Sequence, residues 1–342
     1  MKIKLSIILA SFLLISAALS CTTQKIPKEE KITVPPTGPS ITSGTQKENT
    51  NTQPELRFAV MADSRGSDNG INASVIKKTL NEIKKATPQP SFAVMPGDLV
   101  GGSGSYEKIK AQLQYFKDTI TKYYPIDFFY PGFGNHEASA GLEGEKAFGE
   151  VFSEFKANFL EGMNKTVYFF DSSECRFYML NSNHSGESHT ISSRQLDWVK
   201  TNTDPGKLHN FYFFHEPAYP TGPHIGSSLD ADKMMRDKLW EAIDRSNGPM
   251  VFCGHEHFYT RRHINSDFNE TVNGQSFNFI KSVYQVTTGT FGAPFYHEYL
   301  DKRNVDVPPV AEYHYAIVDI IKDKIQVTVY NLDGKAIDSF EQ

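Results

Sequence analysis

A chain of 342 residues with 39% hydrophobic and 13% aromatic side chains can close a sizeable core and is too apolar to be disordered. A net charge of −5, from 35 basic and 40 acidic residues, leaves no basic stripe; it argues against a nucleic-acid partner and permits a small phosphate ester. Three cysteines exclude a disulfide framework. Cys175 and Cys253 stand in apolar, strand-like contexts, where buried free thiols are expected and a single disulfide is the alternative.

The N-terminus reads as an export signal. Residues 1–20 combine Lys2 and Lys4 with an apolar run and the small-x-small end Ala18-Leu19-Ser20. The run is short for a membrane-spanning helix and lacks a charged far flank. Cys21 follows at once, as in bacterial lipoprotein signals whose new N-terminal Cys is acylated. Ala18 stands where those signals usually have Leu, so ordinary cleavage and soluble secretion is the alternative. Residues 21–54 are rich in Thr, Ser, Pro, Lys and Glu and cannot bury enough surface to offset chain entropy. They read as a tether, which favours a lipid-anchored periplasmic or cell-envelope protein whose folded domain spans 55–342.

From there strands and helices alternate. Residues 56–62 (LRFAVMA) form a buried strand ending at Asp63; 73–86 place Val75, Ile76, Leu80 and Ile83 on one helical face. A strand over 92–95 runs into Pro96-Gly97-Asp98, a helix covers 106–120, and a strand over 126–130 leads to Gly134-Asn135-His136-Glu137. Further strands are expected over 176–181, 210–214 (ending at His215) and 250–253 (ending at Gly254-His255-Glu256-His257), with helices over 192–201 and 230–245. Strands over 279–288, 313–321, 324–330 and near Ile337 close the chain, the last pair joined by an Asn331-Leu332-Asp333-Gly334 turn. The alternation predicts an α/β domain, and the strand-rich end a second sheet packed on the first.

Asp63, Asp98, Asn135-His136, His215 and His255/His257 all follow short apolar strands. Ligands of α/β sheets bind outside the carboxyl ends of the strands, so one sheet edge would gather these groups. Carboxylate, carboxamide and imidazole together suit Mn, Fe or Zn. A carboxylate bridging two such ions about 3.5 Å apart serves in-line displacement at phosphorus. Taken singly, each Asp would read as a cap or turn residue; the combination carries the inference.

The five blocks, in this order, resemble those of the calcineurin-like metallophosphoesterases, and within them the purple acid phosphatase branch. Asp63-Ser64-Arg65 stands for Asp-x-His, Gly97-Asp98 for Gly-Asp, Gly134-Asn135-His136-Glu137 for Gly-Asn-His, His215 for the lone His, and Gly254-His255-Glu256-His257 for Gly-His-x-His. The resemblance implies a sandwich of two mixed β-sheets flanked by helices (α/β/β/α) with two metal ions at one edge. It implies Asp63 and His257 on the first ion, Asp98 bridging, and Asn135, His215 and His255 on the second. A metal-bound hydroxide would attack phosphorus while His136 protonates the leaving oxygen.

One departure stands out. The opening block's third residue, a His ligand in the family, is Arg65, which stays protonated and cannot ligate. The Tyr that purple acid phosphatases use instead is Gly101 here. The first position is therefore weakened, more hydrated, or completed by Tyr106, His184 or His189, and Arg65 is free to contact the phosphate as a bidentate donor. His209, His224, His263, His297 and His314 read as surface or packing residues, and residues 291–299 (FGAPFYHEY) as an aromatic loop that lines the pocket or simply packs. The expected function is an exported hydrolase of phosphomonoesters or phosphodiesters; the alternative is a non-catalytic binding or adhesion module on the same scaffold.

Overall fold

The computed structural model describes residues 53–342. The expected signal, Cys21 and nearly all of the tether lie outside the described residues. Among the described residues no helix is long and apolar enough to cross a membrane.

The first sheet joins β1 (Leu56–Val60), β2 (Phe92–Met95) and β3 (Phe129–Pro131), mutually parallel, to the antiparallel C-terminal meander β12 (His314–Ile321), β13 (Lys324–Asn331) and β14 (Ala336–Glu341). Its order is β14-β13-β12-β1-β2-β3. The second sheet takes β4 (Asn158–Phe159), β5 (Tyr168–Ser172), β6 (Cys175–Met179), β7 (His209–Phe213), β8 (Met250–Cys253), β9 (Tyr259–Ile264), β10 (Val283–Thr288) and β11 (Val305–Val310). Its order is β11-β9-β10-β8-β7-β6-β5-β4, with β10, β8, β7 and β6 parallel.

Side-chain alternation sorts the second sheet between two cores. Phe177, Phe211 and Phe252 join the core shared with the first sheet, where Phe58 meets Phe177 and Phe211 edge-on at 5.2 and 5.3 Å. The alternate residues Tyr178, Tyr212, Val251 and Cys253 pack instead with Leu196, Leu239 and Trp240 from α4 (Ser193–Asn202) and α5 (Lys233–Arg245). Helices α1 (Ala73–Ile83), α2 (Tyr106–Ile120) and α3 (Leu142–Val151) feed Ile76, Leu80, Leu113, Phe116 and Phe148 into the first core. Asn72 caps α1 by accepting the Val75 N–H at 3.4 Å, and Asp232 caps α5 by accepting that of Met235 at 3.2 Å. The result is the expected α/β/β/α sandwich.

Several elements differ from the sequence reading. Residues 126–128 form a 3-10 turn, tied by the Phe128 N–H to the Pro125 carbonyl, and the strand begins only at Phe129. Strands β5, β9 and β11 and helix α3 were not expected. The arginine pair disguises β9 (YTRRHI): Arg262 is fully buried, donating to the carbonyls of Tyr219, Pro220 and Arg303, while Arg261 pairs with Asp306 and Asp338. Two prolines disguise β11, which can hold them because it is an edge strand. Cys175 and Cys253 are free and buried, on strands separated by β7. Burial raises the Cys175 thiol to about 11 and that of Cys253 further.

Candidate metal centre

The carboxyl ends of β1, β2 and β3 in one sheet meet those of β7 and β8 in the other. The Ala62 N–H donates to the Thr288 carbonyl at 3.1 Å across the sheets, and the Gly254 N–H to the His215 carbonyl at 2.9 Å. Asp63, Asp98 and His255 adopt left-handed backbones, with φ of 62°, 48° and 69°. Such conformations cost a non-glycine residue about 1–3 kcal/mol and concentrate at functional sites. Here they turn each side chain inward from its strand end. Gly97, at φ 107°, precedes Asp98; a Cβ there would lie 2.8 Å from the Gly134 nitrogen and 2.9 Å from His215 Nδ1. The close approach requires glycine.

Four donors converge at what the sequence reading made the second position. His215 Nδ1 lies 3.2 Å from the Pro96 carbonyl and, as the donor there, leaves Nε2 as a lone pair. That Nε2 faces Asn135 Oδ1 at 3.0 Å and Asp98 Oδ1 at 3.3 Å. His255 points Nε2 at the Ser227 carbonyl (3.4 Å) and Nδ1 at the same Asn135 oxygen (3.1 Å). Acceptors that face one another this closely need a cation or a proton between them. Burial alone would lower His215, but the Asp98 carboxylate raises it to about 10; a proton and a metal ion compete for that one lone pair. His255 is held well below its ordinary value by burial and by His215. This oxygen–nitrogen donor set fits a divalent ion.

The first position is built differently. One donor atom each from Asp63, Asp98 and His257, all three residues buried, lie within 4.8 Å of one another. His257 Nε2 is 3.5 Å from Asp63 Oδ1, and the Asp63 oxygens accept the His255 N–H at 3.1 and 3.2 Å. Arg65 enters from the side. Its Nε is 3.4 Å from His257 Nε2, and its Nη2 is 3.4 Å from both ring nitrogens and 3.2 Å from the Tyr296 hydroxyl. Tyr296 lies flat on the His257 ring, with centroids 4.2 Å apart and 7° between planes. The side chains proposed to complete this position are engaged elsewhere: Tyr106 bonds Glu150, His184 bonds Glu145 at 2.8 Å, and His189 bonds Glu216 at 3.0 Å.

His136 stands at the mouth with a quarter of its side chain exposed. Its Nδ1 lies 2.7 Å from the Gly101 carbonyl and its Nε2 3.8 Å from Asp98 Oδ2, while its backbone N–H donates to Asp98 Oδ1 at 3.0 Å. Two buried carboxylates hold the loops. Glu137 accepts the N–H groups of Asp98, Val100 and Gly134 at 2.8–3.0 Å; burial and Asp98 push it up to about 8 against those donors. Glu256, between the two loop histidines, accepts those of Thr221 and Gly222 at 2.8 and 2.7 Å.

His224, read as a surface or packing residue, packs against the site. Its ring lies 3.9 Å from that of His255 and 5.3 Å from that of Tyr296. Burial and then His257 lower it to about 4. Tyr296 belongs to the 291–299 loop, which thus lines the site. His314, by contrast, is a buried core residue against Thr290 and Glu312. A groove of about 440 Å³ between α4 and α5, lined in part by Lys200, Lys238 and Arg245, contains none of these residues, so concavity alone would not locate the centre.

Fold and donor set together define a metallohydrolase-type centre at the edge of an α/β/β/α sandwich. Residues 56–259 match the family model described as calcineurin-like phosphoesterase, and the chain belongs to that family of metal-dependent phosphoester hydrolases. No curated protein sequence matches the chain. The fold is similar to that of the purple acid phosphatase PPD1 of yellow lupin (Lupinus luteus), with a TM-score of 0.63 and 16% identity over 84% of this chain and 53% of that one. This chain thus spans about half the length of the lupin protein. It is similar also to PhoD (TM-score 0.57, 12% identity, 84% and 72% covered). A third is GAP50, the anchor in the inner membrane complex of Plasmodium (0.55, 11%, 84% and 88%). At these identities the likeness speaks to fold.

Proposed function

We propose that the chain is an exported hydrolase of small phosphoric esters, monoesters or diesters, tethered to the cell envelope through Cys21 and the segment 21–54, with the catalytic domain over 55–342. The observation that carries the chemistry is the convergence of His215, His255, Asn135 and Asp98 on one spot. These residues would hold an ion of the Mn, Fe or Zn type, and Asp63, His257 and Asp98 are the donors of a neighbouring position. A bound ion supplies Lewis acidity at the phosphoryl oxygen and acidifies a water.

The chain's own groups do the rest. With the Gly101 carbonyl accepting from Nδ1, the His136 ring turns Nε2 to the site, the atom that in the imidazolium form would pass a proton to the leaving oxygen. The Arg65 guanidinium, held by the Tyr296 hydroxyl, offers its remaining N–H groups to two phosphoryl oxygens. The acidic balance of the chain favours a small ester over nucleic acid.

The second reading, a binding module without turnover, draws on Arg65 alone, which replaces a ligand. Assaying the full chain against aryl phosphomonoesters and diesters with Mn, Fe, Zn and Ca separates the two. Turnover that Asp98→Asn abolishes supports the enzyme; no turnover with any metal, from a chain that binds none, supports the module. Arg65→Ala is expected to raise KM about tenfold or more, as loss of a charge-assisted pair does. An unchanged KM would remove Arg65 from the phosphate.

A further inference from the structure

We infer that the guanidinium of Arg65 occupies the role of the first metal ion, so that this centre carries one resident ion, at the second position, instead of the two its family implies. The inference rests on the hydrolase reading above and specifies the cation content of the site. Three observations carry it.

The first is the donor inventory. The second position draws on Asp98, Asn135, His215 and His255. The first has only Asp63, His257 and the shared Asp98. The second is the direction of Arg65. Its Nε lies 3.4 Å from His257 Nε2, the same nitrogen that faces Asp63 Oδ1 at 3.5 Å. An ion at the first position would need that nitrogen, and the guanidinium lies over the same ring, with Nη2 3.4 Å from both ring nitrogens. A guanidinium has no lone pair to offer a metal, so Arg65 brings charge and no donor. A fixed positive charge beside the position also repels a divalent cation placed there.

The third observation is that Arg65 is held in place. The Tyr296 hydroxyl receives its Nη2 at 3.2 Å, and the Tyr296 ring is stacked on His257, so arginine, imidazole and phenol form one unit. The Tyr296 backbone N–H donates to the His257 carbonyl at 3.1 Å, which ties the loop bearing the phenol to the ligand it covers. Asp63, for its part, accepts the His255 backbone N–H at both oxygens. A planar fork beside the first position keeps a positive charge for the phosphoryl group while adding no exchangeable metal.

The test uses the full chain loaded with Mn(II), desalted, and read by elemental analysis and electron paramagnetic resonance. The wild type is expected to retain about one Mn per chain with the spectrum of an isolated ion. Arg65→His, which restores a ligand, is expected to retain about two, with the exchange-coupled spectrum of ions about 3.5–4 Å apart. Arg65→Lys, which keeps the charge, is expected to stay at one. Two tightly held ions in the wild type would overturn the inference and leave the hydrolase reading standing; so would Arg65→His remaining at one while its thermal unfolding matches the wild type. A wild-type chain that retains no ion would overturn the hydrolase reading itself.

Discussion

The two halves of the metal centre differ in their donors and in what lies beside them. At the second position, His215 and His255 aim nitrogens at one Asn135 oxygen, and each ring's other nitrogen faces a backbone carbonyl. At the first, His257 aims a nitrogen at Asp63 while a guanidinium lies over its ring. One arrangement needs a cation or a proton among its acceptors; the other has an arginine's positive charge beside it. A ligand motif therefore specifies where donors stand, while a single neighbouring side chain decides whether an ion is wanted there.

The largest effect should come from setting the two halves against each other. His255→Ala deletes a donor of the second position and should strip the ion from the chain, taking turnover of an aryl phosphate down to background. His257→Ala removes a donor of the position beside Arg65, so the chain should keep about one ion and lose activity only in part. Elemental analysis of the two variants side by side reads this directly. Equal metal loss in both would erase the distinction between the halves.

Next in size is His136, which lies outside both donor sets. His136→Gln should keep the wild-type ion content and lower kcat by about 10²–10⁴-fold, the usual contribution of a positioned proton donor. The loss should shrink for esters with acidic leaving groups such as nitrophenol, which depart without help. Comparing nitrophenyl with alkyl phosphates checks this, and an equal loss on both would assign His136 a structural role.

How much of this was legible beforehand follows from which forces leave a mark in one dimension. The meeting of Asp63, Asp98, His136, His215 and His257 was legible because each stands in the loop that follows a short apolar strand, and the strand-end rule turns sequence position into spatial position. His224 and Tyr296 were not, because they sit on loops with no periodicity, and only folding lays them on His255 and His257. The fully buried carboxylates Glu137, Glu145 and Glu256 were equally hidden, since a glutamate that clamps backbone N–H groups reads like one in water. In the fold, the same blindness concealed β9, whose arginines are buried against partners far along the chain.

Glu256 turns that hidden layer into a measurable difference. It ties the His255–His257 loop to Thr221 and Gly222, so Glu256→Gln replaces one acceptor oxygen by a donor facing an N–H group. Outer partners of this kind are worth about 10–100-fold in metal affinity. Because the loop carries a donor of each half, the variant should weaken the resident ion while leaving the ion count at saturation unchanged. Titration of the metal-free chain with Mn(II) measures both.

The smallest expected effect bears on how the first half keeps its guanidinium in place. Tyr296→Phe retains the ring that stacks on His257 and deletes only the hydroxyl that accepts from Arg65 Nη2 at 3.2 Å. A hydrogen bond to a half-exposed cation is worth about 1 kcal/mol, or a few-fold in an equilibrium. The loss should therefore appear as a two- to tenfold rise in KM for a phosphate ester, with kcat and the ion content unchanged. It should vanish in an Arg65→Ala background, because the hydroxyl acts only through the arginine. If the rise persists there, Tyr296 touches the substrate on its own account, and the phosphate is gripped by two independent groups at this end of the site.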